Sequence, residues 1–210
     1  MEDLINKLIE EEYLKTPRII KAFKKIQRAD FLTEDQKEYA GHDRPISTSH
    51  GQTNSQPLTV AFMLELLQPR EGDIVLDIGS GSGWQTALLA EIVGEDGRVF
   101  GIERIPDLKT HGEENILKYN FKNVEFICAD GTKGYKNEAP YDKIIVAAAS
   151  GIGIPDIFLQ QLRVDGRLVI PVGKYEQDMV LVKKVGKDDY QEERYHGFQF
   201  VPLITKGWGE

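Results

Sequence analysis

The chain is predicted to be an α/β protein on a doubly wound, mostly parallel sheet, with helices ahead of that sheet and an antiparallel strand extension behind it. Two observations predict this. From residue 73 onward, short apolar runs alternate with helix-length segments, the pattern of successive strand–helix units whose sheet is covered by helices on both faces. The first run also ends in "DIGSGSG" (77–83), where a strand turns sharply into a helix, as at the ligand-binding edge of such sheets.

Taken in order, residues 1–40 show helical spacing at Leu4, Ile5, Leu8 and Ile9 and again at Ile19, Ile20, Phe23 and Ile26, with Lys15-Thr16-Pro17 between. Two short helices are expected there. A polar segment follows and closes with "HGQTNSQP" (50–57). Helical periodicity then resumes over 57–67 through Val60, Met63, Leu64 and Leu67, with Ser55 the expected N-cap and Pro57 in the first turn. Strands are expected at 73–79, 97–103, 123–130, 141–149 and 166–173, and helices at 84–93, 107–118 and 155–162. The tail adds strand-like runs at 178–185 and 194–204, which read as an antiparallel pair finishing the sheet. No linker interrupts the chain, so 1–210 reads as one domain: 1–56 as N-terminal helices and loop, 57–173 as the core, and 174–210 as C-terminal strands.

Composition narrows the function classes. The formal net charge is −8, from 26 basic and 34 acidic residues, which gives no basic field for a nucleic-acid backbone. Cys128 is the only cysteine, so neither an internal disulfide nor a cysteine zinc cluster is possible, and mid-strand it is expected to be a small core hydrophobe. His42, His111 and His196 lack metal-ligand spacing, and no metal is expected. The start "MEDLINKLIEEEYL" has neither part of a signal peptide and no run of 18 apolar residues occurs. A cytoplasmic protein with no membrane segment is expected.

The chemistry begins at the glycine turn. Gly79, Gly81 and Gly83 permit close backbone approach, and Trp84 opens the following helix as its first buried residue. The next strand ends in Glu103, an acid placed to accept hydrogen bonds from ribose hydroxyls, and the third in Asp130-Gly131, which can read an adenine edge. The glycines follow G-x-G-x-G, with Trp84 where a dinucleotide fingerprint would carry its last glycine. Pyrophosphate is therefore disfavoured. The loop resembles motif I of class I S-adenosylmethionine-dependent methyltransferases, and a cationic sulfonium suits a pocket edged by Asp77, Glu103 and Asp130.

A narrower resemblance follows. "DRPISTSHGQTNSQP", "REGDIVLDIGSGSGWQTALLAEIVG", "GIERIPDL", "GRLVIPVG" and "FVPLI" are similar, in order and spacing, to the protein-L-isoaspartate (D-aspartate) O-methyltransferase family, whose signature is G-Q-T-x-S-x-P just before motif I. The resemblance implies a Rossmann-like class I methyltransferase fold and S-adenosyl-L-methionine as cofactor, with S-adenosyl-L-homocysteine as product. The acceptor it implies is the α-carboxylate of L-isoaspartyl, and also D-aspartyl, residues in damaged proteins, the ester then closing to a succinimide. In that family the serine of the segment, Ser55 here, is the active-site residue; with it Thr53 is expected in catalysis, Asp77, Gly79, Ser80, Gly81, Ser82, Gly83, Glu103, Arg104, Asp130 and Gly131 at the cofactor, and His50, Gln52, Ser55, Val201, Pro202 and Leu203 at the substrate. In the family the "FVPLI" edge would hold the peptide in extended form. A monomer acting on damaged proteins is implied. Two departures fall in the substrate loop: Asn54 stands where isoleucine is most common, and "ISTS" (46–49) replaces a proline- and glycine-containing run. They leave two alternatives open, a methyltransferase for another carboxylate or small molecule, and a cofactor-binding module without catalysis.

The residue types of the loop fit the implied reaction. An α-carboxylate, with a pKa of roughly 3.5 to 4, is ionised at neutral pH and needs no base. It needs in-line placement and fixed donors in place of water. Neutral donors such as Thr53, Ser55 and Gln52 orient an anion without the strong ion pair that would stabilise its ground state.

Overall fold

The computed structural model describes residues 1–204. Its helices are α1 (Glu2–Glu10), α2 (Pro17–Lys25), α3 (Pro57–Leu67), α4 (Trp84–Val93), α5 (Pro106–Ile116) and α6 (Asp156–Gln161). The strands are β1 (Ile46–Ser47), β2 (Thr53–Asn54), β3 (Ile74–Ile78), β4 (Arg98–Glu103), β5 (Val124–Cys128), β6 (Tyr141–Val146), β7 (Leu162–Val172), β8 (Gln177–Lys184) and β9 (Tyr190–Phe198). Short 3₁₀ turns at Arg28–Phe31 and Glu34–Tyr39 carry the chain from α2 to the small β1–β2 hairpin, a stretch whose periodicity was too short to read.

Seven strands form one sheet in the order β5-β4-β3-β6-β7-β8-β9, parallel through β7 and antiparallel at β7–β8 and β8–β9. Alternation along each strand splits the apolar side chains between two cores. Val75, Val99, Ile145 and Val169 face α3 and α4, with α1 and α2 layered beyond them. Leu76, Phe100, Ile144 and Leu168 face the other side, where Phe158 of α6 packs. The strand order reverses between β4-β3 and β6-β7, and the crevice outside the carboxyl ends of these strands is where this architecture binds ligands.

Three local expectations are corrected. Ser55 does not cap α3: the N-cap is Gln56, without a side-chain cap bond, and Asp43 supplies the capping acceptor from outside the helix. Its Oδ1 accepts from the Leu58 amide at 2.9 Å and its Oδ2 from Gln56 Nε2 at 3.1 Å. Cys128 is exposed and is no core residue, because β5 is the edge strand and Cys128 its last residue. The last strand starts at Tyr190 and ends at Phe198, so "FVPLI" lies outside it. Residues beyond Phe198 cross back to the sheet centre, where Ala149 N donates to Val201 O and Leu203 N to Ala149 O, both at 2.8 Å.

Candidate active site

β3 delivers the chain to the switch point, and the glycine turn begins there. Gly79, Gly81 and Gly83 have φ of 84°, 52° and 90°, in the left-handed region where a Cβ is strained. Gly83 has a second reason: a Cβ on it would lie 3.1 Å from Gly112 O of α5. The turn hangs on the neighbouring strand through Gly79 N and Ser80 N, which donate to Ile102 O at 2.8 and 3.1 Å.

Glu103, at the end of β4, is buried and lines the cleft. Its Oε2 accepts from Gly81 N at 3.0 Å and its Oε1 from Ile105 N at 2.9 Å. These two amides fix the carboxylate plane and leave each oxygen a lone pair toward the cleft. Gly131 completes the floor at the third strand end, where a Cβ would come within 2.6 Å of Ile78 Cγ2. Ile78, Ile102 and Ile105 give the floor apolar walls.

The wall facing the strand ends is built by the β1–β2 hairpin, whose register pairs Ser47 with Thr53 and Ile46 with Asn54. Period-two alternation turns Thr53 and Ser55 to one face and Asn54 to the other. Thr53, Ser55 and Gln52 accordingly line the cleft, whereas Asn54 is 4% exposed and turned inward. The opposite rim is Val201, Pro202 and Leu203, held by Ala149 and by Gln177, which clamps Phe200 with Oε1 on its amide (2.6 Å) and Nε2 on its carbonyl (3.2 Å). Together these walls enclose a cleft of about 380 Å³.

Beneath the hairpin lies a fully buried arginine, Arg28. Its Nε donates to Asn54 Oδ1 at 2.8 Å, and its two terminal nitrogens donate to the carbonyls of His42 (2.9 Å), Arg44 (2.8 Å) and Ser55 (2.9 Å). The guanidinium carbon lies 5.4 Å from the centroid of Trp84, within cation–π range. Burial lowers the guanidinium pKa to about 10, with Asp43 opposing the shift, so it stays charged at neutral pH. Trp84 is buried as expected, with Phe23 edge-on at 5.8 Å.

Of the residues the sequence assigned to the cofactor, Gly79, Gly81, Glu103, Arg104 and Gly131 line the cleft. The others are placed differently. Asp77 is fully buried on the α4 face of β3, where its carboxylate accepts from Gln85 Nε2 (2.7 Å) and Thr86 Oγ1 (2.6 Å). It braces the start of α4 from behind. Asp130 caps the following turn, its Oδ1 accepting from the amide (3.0 Å) and hydroxyl (2.6 Å) of Thr132. Ser80 packs with its hydroxyl buried and unpartnered, and Ser82 Oγ accepts from Asn54 Nδ2 at 3.0 Å. His50, at φ 58°, sets its Nε2 3.1 Å from Asp107 Oδ2 outside the cleft lining. Thr59, one turn into α3, and Ala147-Ala148 just after β6 also line the cleft; the small-residue run "AAA" at a strand end is the sequence signal for the latter.

Asp77 gives a pH prediction. Burial pushes its carboxyl from 3.8 up to about 6, against the pull of its Thr86 and Gln85 hydrogen bonds. A carboxyl with a raised folded pKa binds its proton more tightly in the folded state, so its contribution is full at low pH and fades as pH rises through about 6. Asp77→Asn is expected to gain stability relative to the parent as pH goes from about 4 to about 7. Urea midpoints for the pair across that range test this, and a pH-independent difference would refute it.

The family model described as Protein-L-isoaspartate(D-aspartate) O-methyltransferase matches residues 1–207. A Methanothrix thermoacetophila protein named protein-L-isoaspartate O-methyltransferase is 45% identical over 189 residues, 90% of this chain and 89% of its own. A Methanococcus aeolicus protein of the same name is 42% identical over 209 residues, covering 99% and 96%. Among solved structures, a Plasmodium falciparum protein crystallised in complex with S-adenosyl-L-homocysteine superposes with a TM-score of 0.85 at 25% identity, over 97% of this chain and 98% of that one.

Proposed function

The chain belongs to the protein-L-isoaspartate(D-aspartate) O-methyltransferase family, an S-adenosylmethionine-dependent enzyme class that repairs isoaspartyl damage, and from that premise we propose how its own residues carry out the transfer. The observation that carries the reading is the convergence of two independently built walls on one cleft. The β1–β2 hairpin presents Thr53 and Ser55, and the strand ends present Gly79, Gly81, Glu103 and Gly131.

The strand-end wall suits the donor. Glu103, held by two amides, is oriented to accept from a ribose diol, and the glycines leave room for the aminoacyl part against backbone. Ile102 and Ile105 offer apolar faces to a purine. When bound, S-adenosylmethionine supplies an electrophilic methyl on a sulfonium. On the acceptor side Ser55 and Thr53 donate hydroxyl hydrogens to the isoaspartyl α-carboxylate and hold one oxygen in line. The carboxylate is already ionised, so no side chain removes a proton. Val201–Leu203 and the hairpin close over it and displace its water shell. The methyl ester formed then cyclises to a succinimide without further help, a backbone amide nitrogen attacking the ester carbonyl and expelling methanol, and D-aspartyl residues, which present a related carboxylate, share the site.

Asn54 gives no ground for a different acceptor, since its side chain faces Arg28 and Ser82. We read the chain as one catalytic unit, monomeric and cytoplasmic, whose net charge of −8 disfavours nucleic acid as partner. The deciding measurement is transfer of labelled methyl to an isoaspartyl peptide and to its aspartyl isomer. Turnover confined to the isoaspartyl peptide is expected. Equal turnover of the two, or none with cofactor bound, would overturn the assignment.

A further inference from the structure

We propose that Asn54 is a positioning residue that couples cofactor binding to acceptor binding, an inference that rests on assigning Thr53 and Ser55 to the acceptor. The side chain spans the two walls of the site. Its Oδ1 accepts from Arg28 Nε at 2.8 Å and its Nδ2 donates to Ser82 Oγ at 3.0 Å. A guanidinium only donates, so the amide oxygen must face Arg28 and the NH₂ must face Ser82. The orientation is forced.

Ser82 belongs to the glycine turn, and on its far side its carbonyl accepts from Asn115 Nδ2 at 3.0 Å. Arg28 in turn holds the carbonyl of Ser55 at 2.9 Å. One continuous chain of hydrogen bonds therefore runs from the turn that meets the cofactor to the serine that meets the acceptor. All of its side chains are buried: Arg28 0%, Asn54 4% and Ser82 7% exposed. In such a setting the bonds are strong and a missing partner is costly. An aliphatic residue at position 54 would fill the space and sever both links. Whatever settles the glycine turn also settles the backbone of Ser55, and by linkage an acceptor on Ser55 strengthens the grip of the turn on its ligand by the same factor.

The coupling is measured directly. The dissociation constant of an isoaspartyl peptide is determined by calorimetry with and without saturating S-adenosylhomocysteine, for the parent, Asn54→Leu, Ser82→Ala and Asn54→Asp. The parent is expected to bind peptide roughly 10-fold more tightly when the cofactor product is present. In Asn54→Leu and Ser82→Ala that factor falls to within about twofold of unity, with each ligand still binding alone and kcat falling more than KM rises. Asn54→Asp retains the coupling, because one oxygen still accepts from Arg28 and the other can accept from the Ser82 hydroxyl. Ser82→Ala keeps the Arg28–Asn54 contact, so it serves should Asn54→Leu fail to fold. An undiminished factor in Ser82→Ala, or no coupling in the parent, would overturn the proposal. Failure of the acceptor assignment itself looks different: Ser55→Ala would then leave peptide affinity and turnover unchanged.

Discussion

Replacing Ser55 by alanine is expected to lower kcat/KM for an isoaspartyl peptide by roughly 10²-fold, the scale of losing the alignment of one reacting oxygen. The effect should be confined to the acceptor. The Ser55 backbone stays pinned through its carbonyl to Arg28, and its side chain takes no part in capping α3, so neither fold nor cofactor site loses a contact. Affinity for S-adenosylhomocysteine and the thermal midpoint should therefore match those of the parent. Steady-state kinetics with varied peptide at saturating cofactor test this. A mutant with parental kcat/KM would show that Ser55 does not orient the carboxylate.

The second large effect is on stability. Arg28→Leu is expected to cost at least about 3 kcal/mol, because the carbonyls of His42, Arg44 and Ser55 and the amide oxygen of Asn54 lose their donor at roughly 1–3 kcal/mol for each group left buried and unsatisfied. For a chain of this size that corresponds to a fall in Tm on the order of 10 °C. Arg28→Lys should fall between, since an ammonium carries three donors and lacks the planar fork that reaches all four acceptors. Calorimetry of the three proteins at pH 7 decides it. A Leu variant melting within about 2 °C of the parent would mean the carbonyls find water instead.

The contrast between these two residues shows what a sequence discloses. That Thr53 and Ser55 line the cleft was legible because the segment "GQTNSQP" has a family likeness and a residue chemistry suited to a carboxylate. The sheet was legible for a different reason. Its parallel strands are mostly apolar, and the helices 57–67 and 84–93 are bounded by legible signals, Pro57 in the first turn of one and Gly83 and Gly94 flanking the other. Arg28 was invisible, because a basic residue after an amphipathic helix reads as solvated surface, and only the packed structure shows its acceptors, drawn from residues 40 to 55. The placement of Asp77 meets the same limit. Its position at a strand end suggested the cleft, but strand alternation places it on the α4 face, where Gln85 and Thr86 meet it. "FVPLI" was expected within the last strand, since nothing local marks that the chain leaves the sheet at Phe198.

The route of that last segment sets an order of assembly. Residues 199–204 reach the rim only after the chain has been laid out through β7, β8 and β9 to the far edge, and they dock on Ala149 and Gln177, which belong to the middle and late parts of the sheet. A growing polypeptide thus completes the strand ends that bear the glycine turn and Glu103 well before it can close the opposite rim. The rim that faces the hairpin is therefore finished only once residues 199–204 have been made, after every strand of the seven-stranded sheet.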